Sequence, residues 1–377
     1  MNKAKPAILL VANWDSNVGY AWWLMESYWA AIAHAFCDTH RILLAYPSIS
    51  EVPKAIASAP IEVVENNFND FSTDNIPSQL EFIKQNNITY IYYTDKPTRA
   101  FRYALYRLAG VKRIFTHDHT PGLRTRPEGF KKILKVVFSR IPLINTDVAI
   151  GATEFIRNRL INVTCIPKQK CIAVNNGIYL RDIKYTDPYE EFSIPRDRKI
   201  IVSTGRLNPF KNIDFALKTF AEVIHKYHGR NWHYLIVGDG PARQDLERLA
   251  NDLGLSEYVT FTGNVSSPSS FYSHCFISFH PSKGEVGFSL SMLENLYSGV
   301  PILCSDNPSV SGIITNKENG FIYSEGDISS AAIQIIGLLT NSTDHKIKER
   351  CKTYVINQHN ILLSHKELVA QLKRQIH

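Results

Sequence analysis

Short apolar runs alternate with amphipathic stretches along nearly the whole chain. In the first half "PAILLVANW", "RILLAY", "ITYIYYTD", "KRIFTHD", "TDVAIGAT" and "CIAVNNG" read as strands. "KIIVSTG", "HYLIVGDG", "YVTFTG", "CFISFHPS" and "VPILCSD" repeat the scheme in the second. Runs that are apolar throughout and bounded by Gly, Asp and Asn predict strands buried on both faces, hence parallel sheets covered by helices. Residues 182–199 interrupt the pattern with two prolines and a mixed charge load, as a linker does. The expected architecture is α/β, with two doubly wound, Rossmann-like domains, residues 1–185 and 186–350, facing a central cleft. A C-terminal helix, residues 351–377, is expected to pack back toward the first domain. Ligands of open α/β sheets sit beyond the carboxyl ends of the strands, so the candidate chemistry is sought there.

Composition narrows the class. A chain of 377 residues with 44% hydrophobic and 20% charged residues is globular and long enough for two cores. No apolar run approaches the roughly 18–20 residues that span a bilayer. Lys3 and Lys5 followed by "AILLVANWD" start like a leader, but the run stops at Trp14 and Asp15 without a small-residue cleavage site. The six cysteines lack CxxC spacing, which argues against a disulfide framework or a zinc site and places the protein in a reducing cytoplasm. The net charge of +7 is local: eleven bases against two acids between residues 99 and 140 leave the remainder slightly acidic. Such a block points to a polyanionic partner surface.

Four constellations carry chemistry. In "STGRLNPFKN", Arg206 and Lys211 follow a strand ending at Gly205, where a forked guanidinium and a mobile ammonium suit a diphosphate. Taken singly, the pair is also what a solvated loop carries. In "HPSKGEVGFSLSMLENLYSGVP" a strand turns at Gly287 into a helix with Leu290, Leu293 and Tyr297 on one face and Met292 and Leu296 beside it. The N–H groups of Phe288, Ser289 and Leu290 at its start would attract an anion. Glu294 lies among apolar helix neighbours, and its two oxygens match a ribose diol; the plainer reading is a solvent-facing acid paired with a neighbour. His117, ending "IFTHD", would donate to a sugar hydroxyl or steady developing charge, or simply pack. Gly19 in "SNVGYAWWL" permits a close backbone approach, but no GxGxxG is present to favour a nicotinamide dinucleotide.

"GRLNPFK", "LIVGDGPARQDLERLANDLGL", "VTFTGNV", "HPSKGEVGFSLSMLENLYSGVPILCSD" and "NGFIY" occur in the order that resembles retaining glycosyltransferases of family 4, with "THD", "AIGATEF" and "VNNGI" agreeing in the first half. The resemblance implies a GT-B fold, an acceptor-binding first domain and a donor-binding second one. It implies a hexosyltransferase using a UDP- or GDP-hexose without a metal or other cofactor. Its acceptor would be a glycan or lipid-linked molecule in polysaccharide or lipopolysaccharide synthesis. By the same resemblance Arg206 and Lys211 hold the diphosphate, Glu294 the ribose, and Gly287–Leu290 the phosphate and sugar. Val265 would border the base, Gly19 underlies the diphosphate and His117 flanks the hexose.

One departure stands out. The family has its first acid eight positions before the second, where this chain has Val286, and Glu285 comes one position early. Either an extra residue lets Glu285 swing into place, which a loop absorbs readily, or backbone groups alone grip the sugar. Apart from the resemblance, "GFKKILKVVFSRIPLI" sets Phe130, Ile133, Leu134, Val137 and Ile141 on one helical side beside Lys131, Lys132 and Lys135. That helix is either packed into a core with solvated lysines, or rests on an anionic membrane through residues 124–141 and holds the enzyme at the inner face of the membrane. The rival functions are a nucleotide-sugar epimerase and a non-catalytic polyanion-binding protein; a nucleic-acid partner is not expected.

Overall fold

The computed structural model describes residues 5–16, 22–228, 230–340 and 345–376. Among these residues seven strands form one parallel sheet: β1 (Ala7–Val11), β2 (Arg41–Tyr46), β3 (Glu62–Glu65), β4 (Ile88–Thr94), β5 (Arg113–Asp118), β6 (Val148–Gly151) and β7 (Cys171–Ala173). Their order is β3-β2-β1-β4-β5-β6-β7. A second parallel sheet holds β8 (Lys199–Thr204), β9 (Trp232–Val237), β10 (Val259–Gly263), β11 (Cys275–His280), β12 (Ile302–Ser305) and β13 (Gly320–Tyr323), in the order β10-β9-β8-β11-β12-β13. The central strands are buried along their length, β1 and β9 at every residue, which is why they read as unbroken apolar runs. The edge strand β3, "EVVE", keeps its two acids exposed.

Both sheets reverse direction once, between β1 and β4 in the first and between β8 and β11 in the second. Such a switch point opens a crevice at the carboxyl ends of the two central strands. In the second sheet the register pairs Ile201 with Ile277 and Val202 with Ser278, bringing Thr204 and His280 out at the same edge.

The chain forms two compact units. One gathers the chain up to Thr120, residues 124–175 and residues from 363 onward; the other holds residues 121–123 and 176–362. Tyr93, Tyr103 and Tyr106 pack with Leu9, Ile91 and Ile114 in the first core. Phe220, Trp232, Tyr234 and Phe279 pack with Leu217 and Leu303 in the second. Residues 182–199 are not a free linker: Ile194 is buried with Ile200, Val202 and Tyr272, so burial of that side chain fastens the segment to the second unit. The C-terminal segment is two helices, His345–Gln358 and Ile361–Ile376, rather than one. Within the first unit Ser364 Oγ donates to Asn175 O at 2.6 Å and Tyr90 Oη to Ile376 O at 3.0 Å.

Candidate functional site

The second unit builds its site at the switch point. Past β8, Gly205 has φ +154°, and a Cβ at Gly238 would lie 2.1 Å from Gly205 O, so two chain segments touch where no side chain fits. Asn208 then caps the single turn Pro209–Lys211, its Oδ1 accepting from Phe210 N and Lys211 N. Asn212 follows in the left-handed conformation at φ +59°, and its Nδ2 donates to Pro281 O just beyond β11. The "NPFKN" stretch thus ties the ends of β8 and β11 together and projects Lys211 back over Gly205.

Lys211 Nζ meets Glu285 Oε1 at 2.5 Å. His280, the last residue of β11, places Nε2 at 3.3 Å from the same oxygen and 3.2 Å from Ser289 Oγ. Burial raises the Glu285 carboxyl pKa, but Lys211 and His280 outweigh it and the group is held down at about 2, well below its ordinary value. Burial lowers the His280 pKa against the pull of Glu285, so the imidazole is neutral. Glu285 Oε2 has no hydrogen-bond partner among the described residues. The offset acid is therefore held beside Lys211.

The turn that aims it is stapled from several sides. Gly122 N donates to Glu285 O at 2.9 Å, Lys283 N to Phe210 O at 3.0 Å, and Gly287 N to Ser309 O at 2.8 Å. Gly287 adopts φ +114°, which a side chain would resist. Its N–H was expected to serve a ligand, but it is already spent on Ser309 because the turn closes on that loop. The N–H groups of Phe288, Ser289 and Leu290 have no partner among the described residues. Ser289 caps the helix Leu290–Tyr297 by accepting from Met292 N at 3.4 Å. Phe288 turns its ring away into the core, 4.9 Å from His359. Of the helix, Met292, Leu293 and Leu296 are buried while Leu290 and Tyr297 are half-buried, and Glu294 is half-buried too. Arg206 is exposed, with no ion pair among the described residues. Val265 lies half-buried against the cluster that holds Val237 and Tyr272. Sequence reasoning did not assign His280 or Ser309: a lone histidine before Pro281 carries no pattern of its own.

In the first unit His117 is fully buried, Nδ1 2.6 Å from Tyr92 Oη, while its Nε2 has no partner among the described residues. Burial and the neighbouring His119 ring, 4.1 Å away between centroids, push its pKa well down, so it is a neutral donor or acceptor. Asp118 is clasped by the buried Arg159, which also donates to Thr120 O at 2.7 Å. Gly19 lies outside the described residues.

The helix Gly129–Ser139 of the same unit is not core-packed. Phe130 is 73% and Ile133 59% exposed, and Leu134, Val137 and Phe138 join them in one apolar stripe. Ile141, expected on that side, falls beyond the helix and is half-buried. Lys135 Nζ turns aside to Val163 O at 3.0 Å, and Lys131 and Lys132 are exposed. Among the described residues no helix is long and apolar enough to cross a membrane.

Residues 189–358, nearly the whole second unit, match the family described as Glycosyl transferases group 1. Alpha-monoglucosyldiacylglycerol synthase of Streptococcus pneumoniae is 26% identical over 65% of this chain and 56% of its own. O-antigen biosynthesis glycosyltransferase WclY of Escherichia coli is 32% identical over 38% of this chain and 39% of its own. The chain spans about half the length of the curated relatives it matches. Among solved structures, a glycosyltransferase from Rickettsia africae aligns over 98% of both chains with a TM-score of 0.76 at 16% identity. HepE from Anabaena, in complex with UDP, aligns over 98% of this chain and 100% of its own with a TM-score of 0.74, also at 16% identity. The fold is therefore GT-B.

Proposed function

We propose, from the premise that residues 189–358 form a Glycosyl transferases group 1 domain, that this protein is a retaining hexosyltransferase of family 4. It would move a hexose from a UDP- or GDP-hexose to a glycan or lipid-linked acceptor in cell-surface polysaccharide or lipopolysaccharide synthesis. The observation that carries the reading is the meeting of Lys211 and Glu285 at a switch point, beside the N–H groups of Phe288–Leu290 that have no partner among the described residues, with Arg206 exposed on the loop that carries Lys211. Breaking the bond between sugar and diphosphate puts negative charge on the departing nucleoside diphosphate. Two cations and a helix N-terminus supply fixed positive charge for it, so the reading needs no metal. Glu294 is proposed to hold the ribose and Val265 to border the base, with His117 proposed to flank the hexose and Gly19 to underlie the diphosphate. HepE was solved with UDP-glucose, and the S. pneumoniae relative is named for a glucosylated diacylglycerol, which favours a nucleotide sugar as donor and a lipid among the acceptors.

The exposed stripe supports a peripheral seat on anionic lipid at the cytoplasmic face. Apolar side chains flanked by Lys131 and Lys132 suit a charged bilayer surface better than a nucleic-acid backbone, which has no use for hydrocarbon. Incubation with a panel of UDP-, GDP- and ADP-sugars, read for slow release of nucleoside diphosphate, tests the enzyme and names its donor. An epimerase would instead return an isomerised nucleotide sugar, and a binding protein would leave every donor intact.

A further inference from the structure

We propose that His280 is a positioning residue for Glu285, an N–H donor that fixes the carboxylate's orientation and leaves its second oxygen for a sugar hydroxyl. The inference rests on the transferase reading above only for its catalytic consequence.

Hydrogen-bond capacity fixes the tautomer of His280. An ionised carboxylate only accepts, so the His280 nitrogen 3.3 Å from Glu285 Oε1 must be the one carrying the proton, and Nε2–H is the tautomer. Ser289 Oγ, 3.2 Å from that same nitrogen, then accepts from it and turns its own proton to Ser291 Oγ at 2.9 Å. One N–H thereby braces two elements: the turn carrying the acid and the cap of the helix Leu290–Tyr297. The brace is rigid because His280 ends β11 at 4% exposure and pairs with Cys304 in the sheet.

Its chemistry is suited to the task in a way a cation would not be. Both protein donors, Lys211 Nζ and His280 Nε2, converge on Oε1, leaving Oε2 without a partner among the described residues. When Lys211 turns to a donor's diphosphate, as the reading above requires, Glu285 loses its cation. A neutral imidazole still holds the carboxylate in place, yet adds no charge that would compete with the sugar for it. A flexible ammonium alone would let the acid rotate.

The test is a cycle of four proteins, wild type, His280→Leu, Glu285→Ala and the double variant, together with His280→Gln, whose amide N–H can stand in for Nε2–H. Turnover is read with the nucleotide sugar that the donor panel identifies, affinity with the matching nucleoside diphosphate, and stability from urea unfolding midpoints. His280→Leu should lower kcat about tenfold or more while nucleoside-diphosphate affinity stays within about twofold, because only the acid is misplaced. His280→Gln should restore most of the turnover. The loss caused by His280→Leu should shrink once Glu285 is already alanine, in turnover and in unfolding midpoint alike. Wild-type kcat in His280→Leu, a His280→Gln variant no better than His280→Leu, or equal losses in both backgrounds would each overturn the proposal. The unfolding cycle needs no substrate: coupling there with no turnover on any donor would sink the transferase reading while leaving the Glu285–His280 brace in place.

Discussion

Replacing Glu285 by Gln removes one negative charge from the Lys211–His280 pocket while keeping shape and an acceptor oxygen. In the folded chain burial lifts the carboxyl pKa, but Lys211 and His280 more than reverse it, to about 2 from an ordinary 4.5. At about 1.4 kcal/mol per pH unit, that depression is worth on the order of 3 kcal/mol at neutral pH. A depressed carboxyl stabilises fully above the unfolded pKa and loses its contribution as pH falls through the folded value. The advantage of wild type over Glu285→Gln should therefore hold from pH 7 down to about 5, fall to roughly 2 kcal/mol near pH 3.5, and fade toward pH 2. Urea unfolding of both proteins at pH 7, 5 and 3.5, compared by midpoint, measures it. A difference that stayed constant between pH 5 and 3.5, or a variant as stable as wild type at pH 7, would refute the ionised, paired acid.

Arg206→Ala should weaken UDP or GDP binding by about 1.5–3 kcal/mol in calorimetry without moving the melting temperature, since the side chain is exposed; affinity within twofold of wild type would remove it from the diphosphate clamp. Gly312→Ala places a Cβ 2.7 Å from Gly287 O, so the turn behind Glu285 must shift, at a cost of about 1–3 kcal/mol read as a lower unfolding midpoint. An unchanged midpoint would show that the contact yields freely. Phe130→Asp with Ile133→Asp should abolish flotation with anionic liposomes and leave donor turnover intact, both side chains being mostly solvent-exposed. Equal recovery of wild type with neutral and anionic vesicles at low salt counts against membrane seating. Adding EDTA should leave transfer unchanged if, as proposed, Arg206, Lys211 and the helix N–H groups carry the leaving-group charge; a metal-dependent chemical step would contradict that proposal.

Eleven of the strands, their parallel pairing and the two doubly wound sheets were legible because strand identity follows from local patterning: runs such as "ILLV" and "WHYLIV" have one way to be buried, between two helical layers. The edge strands β3 and β13 were not, because they are short and only partly buried and so lack an unbroken apolar run. The loop that follows β8 was legible for the same reason, its turn chemistry lying within the seven residues from Arg206 to Asn212. What the chain could not declare by itself was every pairing across sequence distance. Lys211 and Glu285 stand 74 positions apart and meet only because β8 and β11 are neighbours at the switch point; Phe210 beside Lys211 holds the same turn, and Gly122 and Ser309 converge on it from two further segments. Those contacts, not the spacing between Glu285 and Glu294, set where the offset acid points. The Gly129–Ser139 helix shows the same division: its periodicity announced an apolar face, but whether that face is covered depends on what other elements leave room for, and here they leave it to solvent. Periodicity is a local property of the chain, whereas burial and pairing belong to the packed whole.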